Sequence, residues 1–247
     1  RRSGSSDDQR GNRVDIISRF EFPRPVSDCL RKMNKLLSSL LLLVVASVTM
    51  SFASAQEVQG DARSGEGKIA MCIGCHGIKG YQASFPEVYK VPMITSQGAK
   101  YIAAALYAYQ KGERKHPSMR GIAEGLSDQD IADIAAYYEA AGHGMVPVVP
   151  ETPAPATGKA AELLAKGACT SCHGANFNKP IDPSYPKVAG QHADYLFVAL
   201  KSYKTEGHAT WGRSNGVMGG IAKQFTNAEL KVLANYTLVA IWMATLD

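Results

Sequence analysis

The residues most able to do chemistry fall in two short runs. Cys72-Ile73-Gly74-Cys75-His76-Gly77 recurs 97 residues later as Cys169-Thr170-Ser171-Cys172-His173-Gly174. Each run sets two thiols three positions apart and follows them at once with an imidazole. Thiols at that spacing can add across the two vinyl groups of a porphyrin, which then cannot leave, and the adjacent histidine lies under the iron. C-x-x-C-H in an exported chain therefore reads as a c-type haem attachment site. A redox dithiol would need a βαβ setting, which the sequence does not offer. A structural zinc site would need its ligands close together, and these pairs sit in separate repeats. A disulfide across two residues would close a strained ring. The reading is two covalently bound haem c groups, held by Cys72, Cys75, Cys169 and Cys172, with His76 and His173 as iron ligands. The fifth cysteine, Cys29, lies upstream, in a segment expected to be absent from the mature protein.

A sixth ligand would close each iron. Met119 follows His76 by 43 residues and Met218 follows His173 by 45, at matching places in the repeat. A thioether is soft and favours ferrous iron, raising the potential. Both methionines stand in glycine-containing segments ahead of a capped helix, and both are taken as ligands. Met71, Met93, Met145 and Met243 have no counterpart in the other copy and read as core or loop residues. His116, His143, His192 and His208 read as surface or locally hydrogen-bonded side chains. A proximal imidazole is oriented through its other ring nitrogen, usually by a carbonyl or carboxylate. Pro86 and Pro186 are candidates to supply that carbonyl.

Helices must position these groups. Ser127 to Asp130 has the form of a capping box, and Ile131, Ile134, Ala135 and Tyr138 then line one helical face. Thr226 to Glu229 repeats the device ahead of Leu230, Leu233, Ala234 and Thr237. Middle helices are expected over 99–110 and 193–203, and leading helices over 62–70 and 160–168. No convincing alternating strand is visible. Phe85-Pro86 pairs with Tyr185-Pro186, Gln97 with Gln191, Tyr101 with Tyr195, and Tyr137 with Tyr236, so the chain reads as one domain duplicated. Four prolines between Pro147 and Pro155 mark a semi-rigid spacer.

The expected division is domains at 56–146 and 156–247, a linker at 147–155, and a leader at 33–55. Residues 1–32, polar and arginine-rich, read as a non-native or untranslated upstream segment. The leader has a basic start, an apolar middle and Ala53-Ser54-Ala55 at its end, the pattern of a secretory signal cleaved after Ala55. Nine of the 27 basic and five of the 22 acidic side chains fall within 1–55, so the remainder carries a net +1. That balance gives no support to nucleic-acid binding. Lys111, Arg114 and Lys115, beside Met119, read as a basic patch for docking an acidic partner.

These features together resemble the dihaem cytochrome c4 family, a tandem of two class I cytochrome c domains. The resemblance is carried by Cys72, Cys75, His76 and Met119, by Cys169, Cys172, His173 and Met218, and by the runs from Tyr185 to Leu196 and from Leu126 to Asp133. The first copy departs from the family run at Pro86-Glu87-Val88-Tyr89-Lys90-Val91-Pro92-Met93, which leaves Met93 as a rival to Met119. The resemblance implies an all-α fold of two small helical bundles, each around a covalent haem. It implies a periplasmic carrier of single electrons between redox proteins, such as a quinol–cytochrome c reductase and a terminal haem-copper oxidase or other reductase, and leaves room for peripheral membrane association. The expectation is a carrier and not an enzyme. A cytochrome subunit of a larger dehydrogenase or flavoprotein is the alternative, and a dihaem peroxidase-like enzyme a more distant one.

Overall fold

The computed structural model describes residues 32–34, 58–141 and 155–242, the last five by their backbone. The chain divides into two compact units, 1–56 and 57–247. In the first unit, residues 32–34 are helical. The second unit contains both repeats. The expected leader beyond Asn34, the proline-rich spacer before Pro155, His143, Met145 and Met243 lie outside the described residues. Among the described residues no helix is long and apolar enough to cross a membrane.

The first repeat runs α1 (Ala62–Glu66), α2 (Ala70–His76), β1 (Gln82–Ala83), β2 (Tyr89–Lys90), α3 (Ala99–Gln110), β3 (Arg114–Lys115), α4 (Pro117–Glu124) and α5 (Asp128–Ala141). The second runs α6 (Gly158–Gly167), α7 (Cys169–His173), α8 (Ala193–Ser202), β4 (Gly212–Arg213), α9 (Gly216–Ala222) and α10 (Asn227–Trp242). The strands are two residues long and form two antiparallel ladders, β1 with β2 and β3 with β4. They add to the all-helical expectation without altering it, since no sheet is wide enough to bear a core.

Both capping boxes form. Ser127 Oγ accepts the Asp130 amide while Asp130 accepts the Ser127 amide and hydroxyl, and Thr226 and Glu229 do the same. Reciprocal capping satisfies amides that a helix start leaves orphaned. The two apolar faces behind these caps are both buried: Ile131, Ile134, Ala135 and Tyr138 in the first half, Leu230, Leu233, Ala234 and Thr237 in the second. In the first half α1 presses against α5, and Gly65 permits it. A Cβ there would come within 2.2 Å of the Asp133 carbonyl oxygen.

The halves meet across a local twofold built from equivalent residues. Arg114 of β3 pairs with Arg213 of β4. The Gln97 side chain accepts the Lys187 amide at 2.8 Å and donates to its carbonyl at 2.9 Å. Its repeat partner Gln191 accepts the Met93 amide at 3.1 Å and donates to the Met93 carbonyl at 2.8 Å. Both glutamines are buried. Each amide side chain thus completes a strand-like pair with the other half's backbone, satisfying four polar groups that the interface would otherwise desolvate at a cost.

Candidate functional site

Helix α2 ends in Cys72, Cys75 and His76 because a single helical turn carries the whole motif, which sets both thiols and the ring on the side facing the cavity. Helix α7 does the same for Cys169, Cys172 and His173. All four thiols are free. They line a cavity of about 1000 Å3 shared by the two halves, together with both histidines, Met119, Met218, Arg114 and Arg213. All eight residues singled out from the sequence therefore face one continuous space.

The two imidazoles are held alike. His76 Nδ1 donates to the Pro92 carbonyl at 2.7 Å, and His173 Nδ1 to the Pro186 carbonyl at 3.1 Å. A carbonyl only accepts, so the hydrogen is on Nδ1 and the Nε2 lone pair is left for a metal. Burial pushes both histidines below their ordinary pKa, which keeps them neutral. Burial likewise raises the Cys72 and Cys169 thiols.

Pro186 is in the expected role, but Pro86 is not. The offset that relates Gln97 to Gln191 relates Pro92, not Pro86, to Pro186. The first repeat carries the extra β1–β2 hairpin ahead of this point, and matching Phe85-Pro86 to Tyr185-Pro186 put the insertion on the wrong side. The same offset brings Met93 to the place of Lys187. Met93 is bound by its backbone to Gln191, one residue from the carbonyl that orients His76. Both Met93 and Met119 line the cavity.

Met119 and Met218 lie within short helices, α4 and α9, where glycine-containing loops were expected. The helix starts are capped by side chains three residues earlier: His116 Nδ1 accepts the Met119 amide at 3.4 Å, and Asn215 Oδ1 accepts the Met218 amide at 2.9 Å. His116 is thus a local hydrogen-bonding residue, as expected, and burial lowers its pKa. His208 is exposed and accepts amides of Thr210 and Trp211 through Nδ1.

The expected basic patch is corrected. Arg114 turns inward, donating to the Tyr101 hydroxyl at 3.2 Å and the Tyr195 hydroxyl at 2.7 Å, while Lys115 donates to the His208 carbonyl. Arg213 donates to the same Tyr195 hydroxyl at 3.0 Å. No carboxylate among the described residues pairs with either guanidinium, and Arg114 Nε is buried without a partner. Burial pushes the Tyr195 phenol up, but the two guanidiniums outweigh it and bring the group down to about 8. Two cations sharing a half-buried spot need anions. The propionates of a haem in each half would meet that need, so the donor set fits the group the motifs imply. Sequence reasoning missed this pair, although each arginine stands five residues before its methionine. That repeat was visible, but a single copy read as a charge run.

Comparison with known proteins follows the same lines. The family model described as cytochrome c matches twice, at residues 66–140 and 158–238. The chain is 33% identical over 221 residues to cytochrome c4 of Stutzerimonas stutzeri, covering 83% of this chain and 98% of that protein. It is 28% identical over 202 residues to a thiosulfate dehydrogenase electron acceptor of Stutzerimonas stutzeri strain A1501, covering 78% and 89%. Among solved structures it is similar to reduced recombinant cytochrome c4 from Pseudomonas stutzeri, with 31% identity, a TM-score of 0.55, and 72% and 98% of the two chains covered.

Proposed function

Because the chain belongs to the cytochrome c family, as a tandem member of the cytochrome c4 type, we propose that it is a periplasmic carrier of single electrons whose two haems are each held between a histidine and a methionine. It is a dihaem electron-transfer cytochrome, with two covalently bound haem c groups and redox proteins as partners. When bound, each haem supplies one reversible one-electron change.

The observation that carries the ligand assignment is the paired geometry. Each half brings a histidine fixed by a prolyl carbonyl and a methionine on a capped helix to the same cavity. In this reading Cys72, Cys75, Cys169 and Cys172 hold the two porphyrins. His76 and His173 present Nε2 to the irons, and the carbonyls of Pro92 and Pro186 raise their basicity. Met119 and Met218 complete the coordination and favour the reduced state. Arg114 and Arg213 seat the propionates, offsetting their charge inside the protein. The glutamine clasp and the β3–β4 ladder hold the two sites in one fixed relation, so an electron can pass between them without domain motion. Were both irons held between these side chains, neither would offer an open position to a substrate, and the protein would exchange electrons without making bonds. Donor and acceptor are proposed to be a quinol–cytochrome c reductase and a terminal oxidase or other reductase. A dehydrogenase as partner is a second reading, favoured by the similarity to a thiosulfate dehydrogenase electron acceptor.

An equilibrium redox titration of the purified holoprotein followed by visible absorbance tests the assignment. Two reversible high-potential steps are expected, with no carbon monoxide binding to the reduced protein. A step at low potential, or carbon monoxide uptake by either haem, would overturn the methionine assignment at that iron and return the enzyme readings.

A further inference from the structure

The two methionine helices start alike but are anchored differently. In the second half the cap on the Met218 amide is Asn215, an exposed side chain. In the first half the cap is His116, half-buried, and its other ring nitrogen is engaged. His116 Nδ1 accepts the Met119 amide, so the hydrogen of the ring sits on Nε2. That nitrogen is 3.1 Å from the Tyr89 hydroxyl oxygen and donates to it. The Phe85 ring packs edge-on against the imidazole, 6.1 Å between centroids. His116 is therefore held from two sides by one short hairpin.

Among the described residues that hairpin, β1–β2, has no counterpart in the second repeat, and it is fastened to the second half. The Lys90 amide donates to Asp194 at 3.0 Å, Glu87 pairs with Lys201, and the Tyr89 ring lies tilted against Tyr195, 6.1 Å between centroids. Tyr195 is the hydroxyl that both arginines share. Tyr89 itself is buried, 6% exposed, so its hydroxyl has a defined partner and little competing water.

We propose that Tyr89 is a positioning residue for Met119. By fixing the His116 ring it fixes the first turn of α4, and with it the reach of the thioether toward the iron. Strands of the β3–β4 ladder lead into both methionine helices, but only in the first half, among the described residues, is the capping side chain itself held by a residue that rests on the other half. This rests on Met119 being an iron ligand.

The test uses the holoprotein with imidazole as a competing ligand, following the methionine-to-iron charge-transfer absorption of the ferric state, with the second-haem signal identified by its loss in Met218→His. In Tyr89→Phe, which keeps the ring and drops the hydroxyl, imidazole should displace methionine at the first haem roughly three- to tenfold more readily, the scale of one hydrogen bond lost. The second haem should not change, and the potential of the first should fall. His116→Asn installs the cap of the second half, and Tyr89→Phe added to it should do nothing further. Equal changes at both haems, no change at either, or additive effects in the double variant would each overturn the positioning role. Absence of the methionine absorption from the first haem of the wild type would instead overturn the ligand assignment on which it rests.

Discussion

The first and second halves share a plan down to single residues, yet a buried carboxylate ties the first half's helices together where an apolar side chain stands in the second. Asp133 is buried in α5 and accepts hydrogen bonds from the Asp61 amide, Gln129 and Lys68; Lys68 also pairs with Asp130. At the matching place in α10 stands Val232, partly buried against the Leu163, Phe225, Leu230 and Leu233 cluster. The first half also has the hairpin that caps its methionine helix. Duplication thus kept the two C-x-x-C-H runs and let a helix contact drift, because a helix contact can be made by an ion pair or by apolar packing.

The comparison can be broken most strongly at the thiols. Replacing Cys72 and Cys75 together, or Cys169 and Cys172 together, with alanine should lower bound haem from two per chain to one, read by absorbance against protein concentration. Complete loss from either variant would mean the halves do not mature separately. Next come the equivalent core positions Ile131 and Leu230, each fully buried. Alanine at either should cost about 2–5 kcal/mol, measured by denaturant unfolding, with the loss confined to its own half if the halves unfold independently.

The clasp gives a smaller effect. Gln97→Ala and Gln191→Ala each leave a partly buried amide and carbonyl of the other half without their protein partner, at about 0.5–1.5 kcal/mol for each bond lost. Equal costs from the two would support a true local twofold, and a large inequality would break it.

Acid should then separate the halves. Hydrogen bonding from Lys68 and the Asp61 amide holds the Asp133 carboxyl below the usual range. A carboxyl with a lowered folded pKa contributes stability above its unfolded value, near 4, that is lost as pH falls through the folded value. Below about pH 4 the first half should lose stability faster than the second, and Asp133→Asn should remove part of that difference in a pH series of thermal unfolding, the rest resting on Asp61 and Asp130, whose carboxyls are also held low.

The smallest effect is expected at Ser96, held at φ 67° where its counterpart Gly190 sits at φ 72°. A left-handed backbone costs a serine on the order of 1 kcal/mol. Ser96→Gly should raise the midpoint slightly, and a loss would mean its backbone bond to Tyr138 needs the side chain's restriction.

Much of this was readable in advance because it rests on local chemistry. The C-x-x-C-H runs, both capping boxes and the apolar faces behind them depend on residues within a few positions of one another. Spacing alone fixes which side chains share a helical face. The two methionines were visible for a related reason: duplication repeats an approximate distance from histidine to methionine.

What lay beyond the sequence is what passes between distant segments. Pro92 could not be told from Pro86 without knowing where the hairpin turns back. Arg114 reads as a surface cation until the second half covers it. The glutamine clasp, the shared tyrosine and the anchored histidine all join residues far apart in the chain, and loop closure leaves such pairings unspecified by local pattern. The sequence by itself determined the cofactor chemistry, the duplication and the helices. Only the tertiary structure decided how the two halves meet and which polar side chains cross between them, because burial turns a polar side chain toward whatever partner the opposing half provides.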